Sequence, residues 1–156
     1  MSAQLMDGKA LAAQKKAAIR AEVERLARTP GLAVVLVGEN PASQIYVRGK
    51  ARDCEECGIR CMDFRLPAQT TESELLTLIA ELNGRADVDG ILVQLPLPEG
   101  IRERRVLEAI APEKDVDAFH PENVGRLVQG QARYLPCTPA GVMELLHAAG
   151  VSVAGK

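Results

Sequence analysis

Aromatic side chains and an excess of either charge are what this sequence lacks most. Two tyrosines, two phenylalanines and no tryptophan make up 3% of its 156 residues, so the core must consist of Leu, Val, Ile and Ala. Nineteen Lys and Arg stand against 21 Asp and Glu, a balance that provides no basic field for nucleic acid. No apolar run approaches the roughly 20 residues of a membrane-spanning helix. We therefore expect neither a nucleic-acid nor a membrane partner.

Targeting and nucleotide-binding motifs are also missing. The first residues, MSAQLMDGKALAAQKK, contain no apolar stretch of signal-peptide type, from which we expect a cytoplasmic protein. Neither G-x-G-x-x-G nor G-x-x-x-x-G-K-[ST] occurs anywhere. If a dinucleotide takes part in the function, most of its binding surface is therefore expected outside this chain.

Cysteine is present but sparse. The four cysteines are Cys54, Cys57, Cys61 and Cys137. The Cys54-x-x-Cys57 spacing occurs in redox and metal sites, but zinc normally takes four ligands and the two histidines of the chain have no partner at ligand spacing. Small buried thiols in a reducing compartment are the favoured interpretation, and a metal or redox module is the alternative.

Short apolar runs alternate with helix-forming segments along the chain. Residues 32–37 and 91–95 are typical of strands buried on both faces of a parallel sheet, and residues 59–66 indicate another strand. Helices are predicted over residues 8–28 and 40–58, from residue 70 or 71, and over residues 102–110 and 139–149. This order predicts an α/β fold, a three-layer α/β/α domain with a mostly parallel sheet.

Capping residues support several of these helix boundaries. Asp7 can cap the first helix, and Thr71 with Glu74 has the spacing of a capping box. Thr138 followed by Pro139 predicts the start of the last helix.

The helix over residues 40–58 contains the most informative side chain. Tyr46, Lys50, Cys54 and Cys57 fall on its inward side at about 100° per residue. Lys50 is the cation among them. Its stem can lie along apolar surface while the ammonium reaches water. Alternatively, the lysine lies in a cleft where partial desolvation favours the neutral amine.

Polar residues also occur within and after the strand predicted over residues 91–95. Gln94 is the one polar side chain of that run and lies near the carboxyl end, where open α/β sheets bind their ligands. A buried glutamine bonded to neighbouring backbone is the alternative. Asp115 and Asp117 lie two apart in a polar loop, a pattern that most often reflects turn chemistry.

Five separated motifs, taken together, carry a resemblance to one family. They are Tyr46-Val47-x-x-Lys50 with Gly58-Ile59; Val93-Gln94-Leu95-Pro96-Leu97-Pro98; Pro112-x-Lys114-Asp115-Val116-Asp117 with Phe119-His120-Pro121; Asn123-x-Gly125-Arg126-Leu127; and Pro136-Cys137-Thr138-Pro139-x-Gly141. From about residue 4 to its end, the chain resembles the catalytic domain of bifunctional methylenetetrahydrofolate dehydrogenase/methenyltetrahydrofolate cyclohydrolase.

The resemblance implies a tetrahydrofolate substrate, NADP as cofactor and a set of site residues. Lys50 would transfer protons, Gln94 would fix Lys50, and Tyr46 would stack on the folate rings. Asp117 resembles the pterin-binding carboxylate, Asp115 is expected to be structural, and no metal is implied. The implied substrate-binding set is Tyr46, Val47, Arg48, Gly49, Lys50, Val93, Gln94, Leu95 and Asp117. Thr138 is the single, weaker candidate for facing NADP.

The resemblance also carries expectations about domains and assembly. Residues 1–150 are expected to form the folate-binding catalytic domain and residues 151–156 to begin a Rossmann-type NADP-binding domain, with a homodimer formed by the full-length protein. The family usually has Gly where this chain has Ala118, which tests whether that loop requires positive φ. The alternatives are a truncated, non-catalytic folate-binding or dimerisation domain, and the substrate domain of another α/β dehydrogenase.

Overall fold

A parallel sheet lies at the centre of the computed structural model, which describes residues 5–155. Its strands are β1 (Gly31–Val37), β2 (Arg60–Leu66) and β3 (Gly90–Val93). They lie in the order β2-β1-β3, and both pairings are parallel. The helices are α1 (Gly8–Val23), α2 (Pro41–Cys57), α3 (Glu72–Gly84), α4 (Glu103–Ala109), α5 (Pro121–Val128) and α6 (Cys137–Ala148).

The central strand β1 builds a core on both faces of the sheet. Ala33, Val35 and Val37 pack with the buried residues of α3 and α4. Val34 and Leu36 point the other way and pack against Val47 of α2. Because successive side chains of a strand face opposite sides, one apolar run fills both cores. The predicted α/β fold with helices on both faces of a parallel sheet is confirmed.

The outer helices α1 and α6 contribute no fully buried side chain among the described residues. Lys16 of α1 bonds Asp53 of α2 at 3.1 Å and also contacts Glu56. Lys15 pairs with Glu144 of α6 at 2.6 Å. These two helices are thus held largely by partly exposed contacts. None of the helices described over residues 5–155 is both long and apolar enough to cross a bilayer.

The predicted caps of the first three helices are confirmed. Asp7 accepts a hydrogen bond from the Ala10 amide at 2.9 Å. Asn40 caps α2, and Gly58 ends it in the left-handed conformation with φ 74°. Thr71 and Glu74 form the reciprocal capping box at the start of α3. Local side-chain chemistry therefore sets these helix boundaries.

Three predicted boundaries were wrong. The first helix ends at Val23 rather than at residue 28, because the chain turns early and Arg28 reaches the Asp89 carboxylate. The last helix begins at Cys137 with Pro136 at its cap position, so Thr138 lies inside its first turn and caps nothing. Strand β3 ends at Val93 rather than at residue 95, although the Gln94 amide still bonds the Val35 carbonyl at 2.8 Å.

Candidate functional site

Helix α2 places Lys50 within its buried stripe. The fully buried positions of α2 are Ser43, Val47, Cys54 and Cys57, and Lys50 lies between them at the same helical spacing. The lysine is half-buried. A cation on this stripe needs a polar partner at the end of its stem, since an unpaired buried charge is costly.

That partner is the side chain of Gln94, which follows the carboxyl end of β3. Lys50 Nζ donates to Gln94 Oε1 at 2.8 Å, and Gln94 Nε2 donates to the Leu95 carbonyl at 2.8 Å. The backbone bond orients the amide so that its oxygen faces the lysine. The Lys50–Gln94 bond implied by the resemblance is therefore present, and so is the bonding to neighbouring backbone that was the alternative for Gln94.

An amide partner is neutral and forms no ion pair with the lysine. Lys50 takes part in none of the salt bridges formed by residues 5–155. Its amine is thus held in position without being locked to a carboxylate. This arrangement suits a group that binds or releases a proton during a reaction.

Asp117 lies across from Lys50 on the loop that follows α4. Burial raises the pKa of Asp117 above its ordinary value, the nearby charge of Lys50 acts in the opposite direction, and Asp115 adds to the rise. The thiol of Cys137, from the start of α6, lies near Asp117 and lowers the same pKa. We call Lys50, Gln94, Asp117 and Cys137 the carboxyl-edge cluster.

Cys137 closes this cluster from the side of α6. As a whole residue it is exposed, but its thiol faces the loop, with Sγ 3.7 Å from the Val116 carbonyl. Burial of the thiol raises the pKa of Cys137, and the carboxylate of Asp117 raises it further. The thiol is therefore a neutral neighbour of Asp117 near pH 7.

The loop bearing Asp117 is attached to the sheet and to α3. The Ile91 amide donates to the Lys114 carbonyl at 2.7 Å, which continues the sheet by one parallel bridge. Lys114 Nζ donates to the carbonyls of Asn83 and Arg85 at 2.7 and 2.8 Å, so its charge satisfies the carboxyl end of α3. The position of Asp117 is thus tied to the rigid part of the fold.

Ala118 shows what this loop requires of the backbone. Its φ is +58° and its side chain is 1% exposed. The left-handed conformation costs an L-residue about 1–2 kcal/mol, whereas glycine adopts it freely. The loop therefore does need positive φ at this position, and alanine tolerates it here with a tightly packed methyl group.

Comparison with known proteins places this geometry in a family. Residues 6–117, which include Lys50, Gln94 and Asp117, match the model of the tetrahydrofolate dehydrogenase/cyclohydrolase catalytic domain. The chain belongs to the tetrahydrofolate dehydrogenase/cyclohydrolase family.

Individual relatives of this family match almost the whole chain. A bifunctional protein FolD of Nitratidesulfovibrio vulgaris is 60% identical over 156 residues, covering 97% of this chain and 54% of the relative. The FolD structure from Campylobacter jejuni superposes with a TM-score of 0.95 at 50% identity, covering 98% of this chain and 56% of that one. A FolD structure from Trypanosoma brucei, complexed with NADP cofactor and inhibitor, gives 0.94 at 37% identity, covering 100% of this chain and 55% of that one. The chain spans about half the length of these relatives.

In this chain, Tyr46 does not face inward as the helical spacing predicted. Its side chain is 64% exposed, because it lies at the edge of the α2 stripe rather than on it. It precedes Lys50 by one turn, and neighbouring Ile45 is 62% exposed. Tyr46 therefore offers an open aromatic face beside the carboxyl-edge cluster.

The remaining predicted contact residues divide into buried and exposed groups. Val47 and Val93 are 0% and 3% exposed and pack in the core, and their part in substrate binding stays a prediction. Arg48 is exposed, and Gly49 and Leu95 are half-buried beside the cluster. Their roles in binding stay predictions.

Sequence reasoning missed α5, Cys137 as a neighbour of Asp117, and the buried pair of Asp115 and Asn123. His120 caps α5 by accepting the Glu122 amide at 3.1 Å, with Pro121 at the first helical position. This Xaa-Pro-Glu start was the available signal for α5. Nothing local signals the other two contacts, since they join residues of different elements.

The remaining cysteines pack inward. Cys54 and Cys57 are 7% and 5% exposed, all four thiols are free, and burial with the neighbouring Cys61 raises the pKa of Cys54 to about 12. No group of three or more His, Cys, Asp or Glu within residues 5–155 could hold a metal ion. Structural thiols remain the favoured interpretation.

Proposed function

We propose that this chain is the folate-binding catalytic half of an enzyme that oxidises 5,10-methylenetetrahydrofolate with NADP and hydrolyses the resulting 5,10-methenyltetrahydrofolate to 10-formyltetrahydrofolate. The observation that carries the proposal is the 2.8 Å bond from Lys50 Nζ to Gln94 Oε1 at the carboxyl edge of the sheet, opposite Asp117. Similarity to bifunctional FolD proteins over almost the whole chain supports it.

Lys50 supplies the proton transfer of the hydrolysis. Water adds to the methenyl carbon, and the amine of Lys50 accepts the proton that the water loses. One carbon–nitrogen bond then opens, the adduct's hydroxyl proton passes to the released nitrogen, and the formyl group stays on the other nitrogen. Gln94 keeps the amine aimed at the reacting carbon throughout, because its own orientation is fixed by the Leu95 carbonyl.

Asp117 and Tyr46 hold the substrate. A carboxylate accepts hydrogen bonds from the amino group and ring N–H of a pterin as a pair. Tyr46, exposed beside Lys50, covers one face of the folate rings, which contributes on the order of 1 kcal/mol beyond the area buried. Arg48, Gly49 and Leu95 border this contact.

NADP would supply the hydride acceptor of the oxidation, and within residues 5–155 Thr138 is its one predicted contact. Thr138 is exposed in the first turn of α6, and one hydroxyl is insufficient. The sequence contains no glycine-rich phosphate loop. The cofactor would be held mainly by residues outside this chain.

The proposal extends to organisation and location. Residues 1–150 form the folate-binding catalytic domain, and residues 151–156 begin the NADP-binding domain. Residues 1–4 and residue 156 lie outside the described residues. The full-length protein is a cytoplasmic homodimer that acts on a small-molecule folate, with neither nucleic acid nor membrane as partner.

The decisive variant is Lys50→Met, which keeps the length of the stem and removes the amine. We expect hydrolysis of 5,10-methenyltetrahydrofolate, followed by its absorbance, to fall by about 10²-fold or more, the typical contribution of a general acid–base group. Calorimetry with a tetrahydrofolate analogue should show unchanged binding. Lys9→Met, on an exposed position of α1, is the matched control.

Retained hydrolysis in Lys50→Met would refute the proton-transfer role. Tyr46→Ala and Asp117→Ala, titrated alongside, should both weaken binding of the analogue. Unchanged affinity in Asp117→Ala would mean that the carboxylate shapes only the loop.

A second candidate function is folate binding without catalysis. It is favoured by the exposed Tyr46 and the half-buried Asp117, which would hold a folate whether or not Lys50 transfers a proton. Tight binding of the analogue together with no hydrolysis by the parent chain would select this function over the first.

A further inference from the structure

We propose that Asp115 and Asn123 are positioning residues, a buried pair that holds the loop so that the Asp117 carboxylate points into the carboxyl-edge cluster. The inference deepens the proposed function, on which its meaning for folate binding rests. Neither residue contacts the cluster through its own hydrogen bonds. Their effect passes through the backbone on both sides of Asp117.

Asn123 ties helix α5 to the part of the loop that precedes Asp117. It lies in α5 and is 0% exposed. Its Nδ2 donates to the Pro112 carbonyl at 2.8 Å and to Asp115 Oδ2 at 2.9 Å. The side-chain amide of Asn123 therefore donates both of its hydrogens to the segment that leads into Asp117.

Asp115 holds the segment that leads out of Asp117. Its carboxylate is 2% exposed, and Oδ2 also accepts the His120 amide at 2.8 Å. Its carbonyl accepts the Ala118 amide at 3.2 Å, which closes the turn around Asp117. Asp117 thus lies inside a turn that the Asp115 carbonyl closes, and the Asp115 carboxylate holds the segment that follows the turn.

The donors of Asn123 explain why a polar residue occupies this buried place. Its Oδ1 is buried and has no hydrogen-bond partner among the described residues. An unsatisfied buried acceptor is unfavourable, and an apolar side chain would avoid it. Without the Nδ2 donors, however, the buried Asp115 carboxylate would keep only its bond to the His120 amide among the described residues. The pair is therefore required by the loop and not by packing.

The pair also affects the charge state of Asp117. The groups that face Asp117 are Lys50 from α2, Asp115 from its own loop and Cys137 from α6. Burial and Asp115 raise the pKa of Asp117, while Lys50 and Cys137 lower it. Removing the charge of Asp115, or letting the loop relax toward water, should consequently lower that pKa.

Titration of the Asp117 carboxyl carbon by nuclear magnetic resonance tests the proposal on the 156-residue chain without any folate. Asp117→Asn assigns the resonance. Asp115→Asn keeps an oxygen that can accept both hydrogen bonds and removes the charge, and Asn123→Leu removes both donors at similar volume. Val106→Ala, a buried change in α4, is the control for lost stability alone.

We expect the titration midpoint of the Asp117 carboxyl to shift to lower pH in Asp115→Asn and in Asn123→Leu. In Val106→Ala it should stay at the parent pH. Parent-like titration in Asn123→Leu, or an equal shift in Val106→Ala, would overturn the proposal, while Asp115→Asn measures the part of the shift that comes from charge alone. If only Asp115→Asn shifts the titration, Asn123 has no positioning role, and the proposal is overturned as well. If Asn123→Leu does not fold, Asn123→Ser, which has a shorter reach and one donor, replaces it.

Binding of the tetrahydrofolate analogue by the same variants separates this inference from the proposed function. Where the parent binds, Asn123→Leu should lose roughly tenfold in affinity, a loss typical of coupled neighbours, with Val106→Ala unchanged. Affinity equal to the parent in Asn123→Leu would overturn the positioning role. A parent that does not bind would count against the proposed function, while the titration would still decide the inference.

Discussion

Single residues of the carboxyl-edge cluster are held by unequal environments. Lys50 bonds an amide oxygen, which fixes its position without forming an ion pair. Asp117 sits where burial outweighs the attraction of that same lysine, so the pKa of its carboxyl rises. Raised pKa values with a specific charged neighbour are frequent at functional sites, because binding and catalysis need groups that exchange protons readily.

The raised pKa of Asp117 predicts how stability depends on pH. The folded chain binds this proton more tightly than the unfolded chain, so the contribution is present below the ordinary value of 3.8 and is lost as pH rises through the folded pKa. Asparagine does not ionise. We expect the free energy of unfolding of Asp117→Asn, relative to the parent, to increase across that window and level off above it.

Urea unfolding at a series of pH values checks this expectation. Glu113→Gln, an exposed carboxyl of the same loop, is the control. A difference between Asp117→Asn and the parent that does not change with pH would contradict it.

The positive φ of Ala118 makes a second prediction at this scale. Ala118→Gly relieves about 1–2 kcal/mol of left-handed strain, but it loses a buried methyl worth about 0.8 kcal/mol and adds about 0.5–1 kcal/mol of unfolded-chain freedom. These terms offset, so we expect a change below about 1 kcal/mol. Ala118→Val should destabilise by more than about 2 kcal/mol, since a branched side chain fits neither the φ nor the space. Equal unfolding free energies for the two variants would disprove the argument.

At the scale of elements, one carboxylate fastens two helices on the same face of the sheet. Glu72, in the first turn of α3, accepts from the Arg102 amide at 2.9 Å and from its guanidinium at 2.6 Å. Arg105 of α4 donates to the same carboxylate at 2.9 Å. At the other end of α3, Lys114 satisfies the last carbonyls. Helix α3 is thereby fixed at both termini, which holds the Asp117 loop in place.

The contact of Glu72 gives an acid-dependent prediction. Its hydrogen bonds with Arg102 lower the pKa of Glu72 to about 2 from 4.5. The stability it contributes is therefore present above the ordinary value and lost as pH falls through about 2. Glu72→Gln should be less stable than the parent at pH 7, and the difference should shrink as the pH approaches that of the folded pKa.

Thermal unfolding followed by circular dichroism measures this difference. Glu81→Gln, exposed on the same helix, controls for the loss of a charge. A deficit in Glu72→Gln that stays constant down to acid pH would show that the ion pairs are irrelevant to stability.

For the whole molecule, burial is concentrated around the sheet. Strand β1 has five residues at 3% exposure or less, while α1 and α6 have no buried residue among those described. Exposed ion pairs such as Lys15–Glu144 typically contribute only about 0–1 kcal/mol. The outer helices therefore depend on weaker contacts than the layers that carry Lys50 and Gln94.

Hydrogen exchange should reveal this unevenness. We expect the amides of α6 to exchange through local opening, at a much lower free energy than those of β1, which should exchange only on global unfolding. Native-state exchange in increasing denaturant distinguishes the two. Equal opening free energies for α6 and β1 would mean that the chain opens as one unit.

Much of the fold followed from local patterns. The buried strands, the N-caps at Asp7 and Asn40, and the Thr71–Glu74 capping box depend on neighbours within four residues, so the sequence alone predicted them. The same helical spacing placed Lys50 on the buried stripe of α2. Helix α5 was missed because it is only eight residues long and has Gly125, a poor helix former, in its middle.

What the sequence determined by itself was the set of elements apart from α5, their boundaries where capping is local, and the ordered motifs of the family. Only the tertiary structure decided that Tyr46 lies open to solvent, that Val47 and Val93 belong to the core, and that Asp115 and Asn123 meet. The physical reason is range. Hydrogen bonds and periodicity along one element depend on residues close in sequence. Burial and the contacts between α5 and the Asp117 loop exist only after the helices have packed onto the sheet.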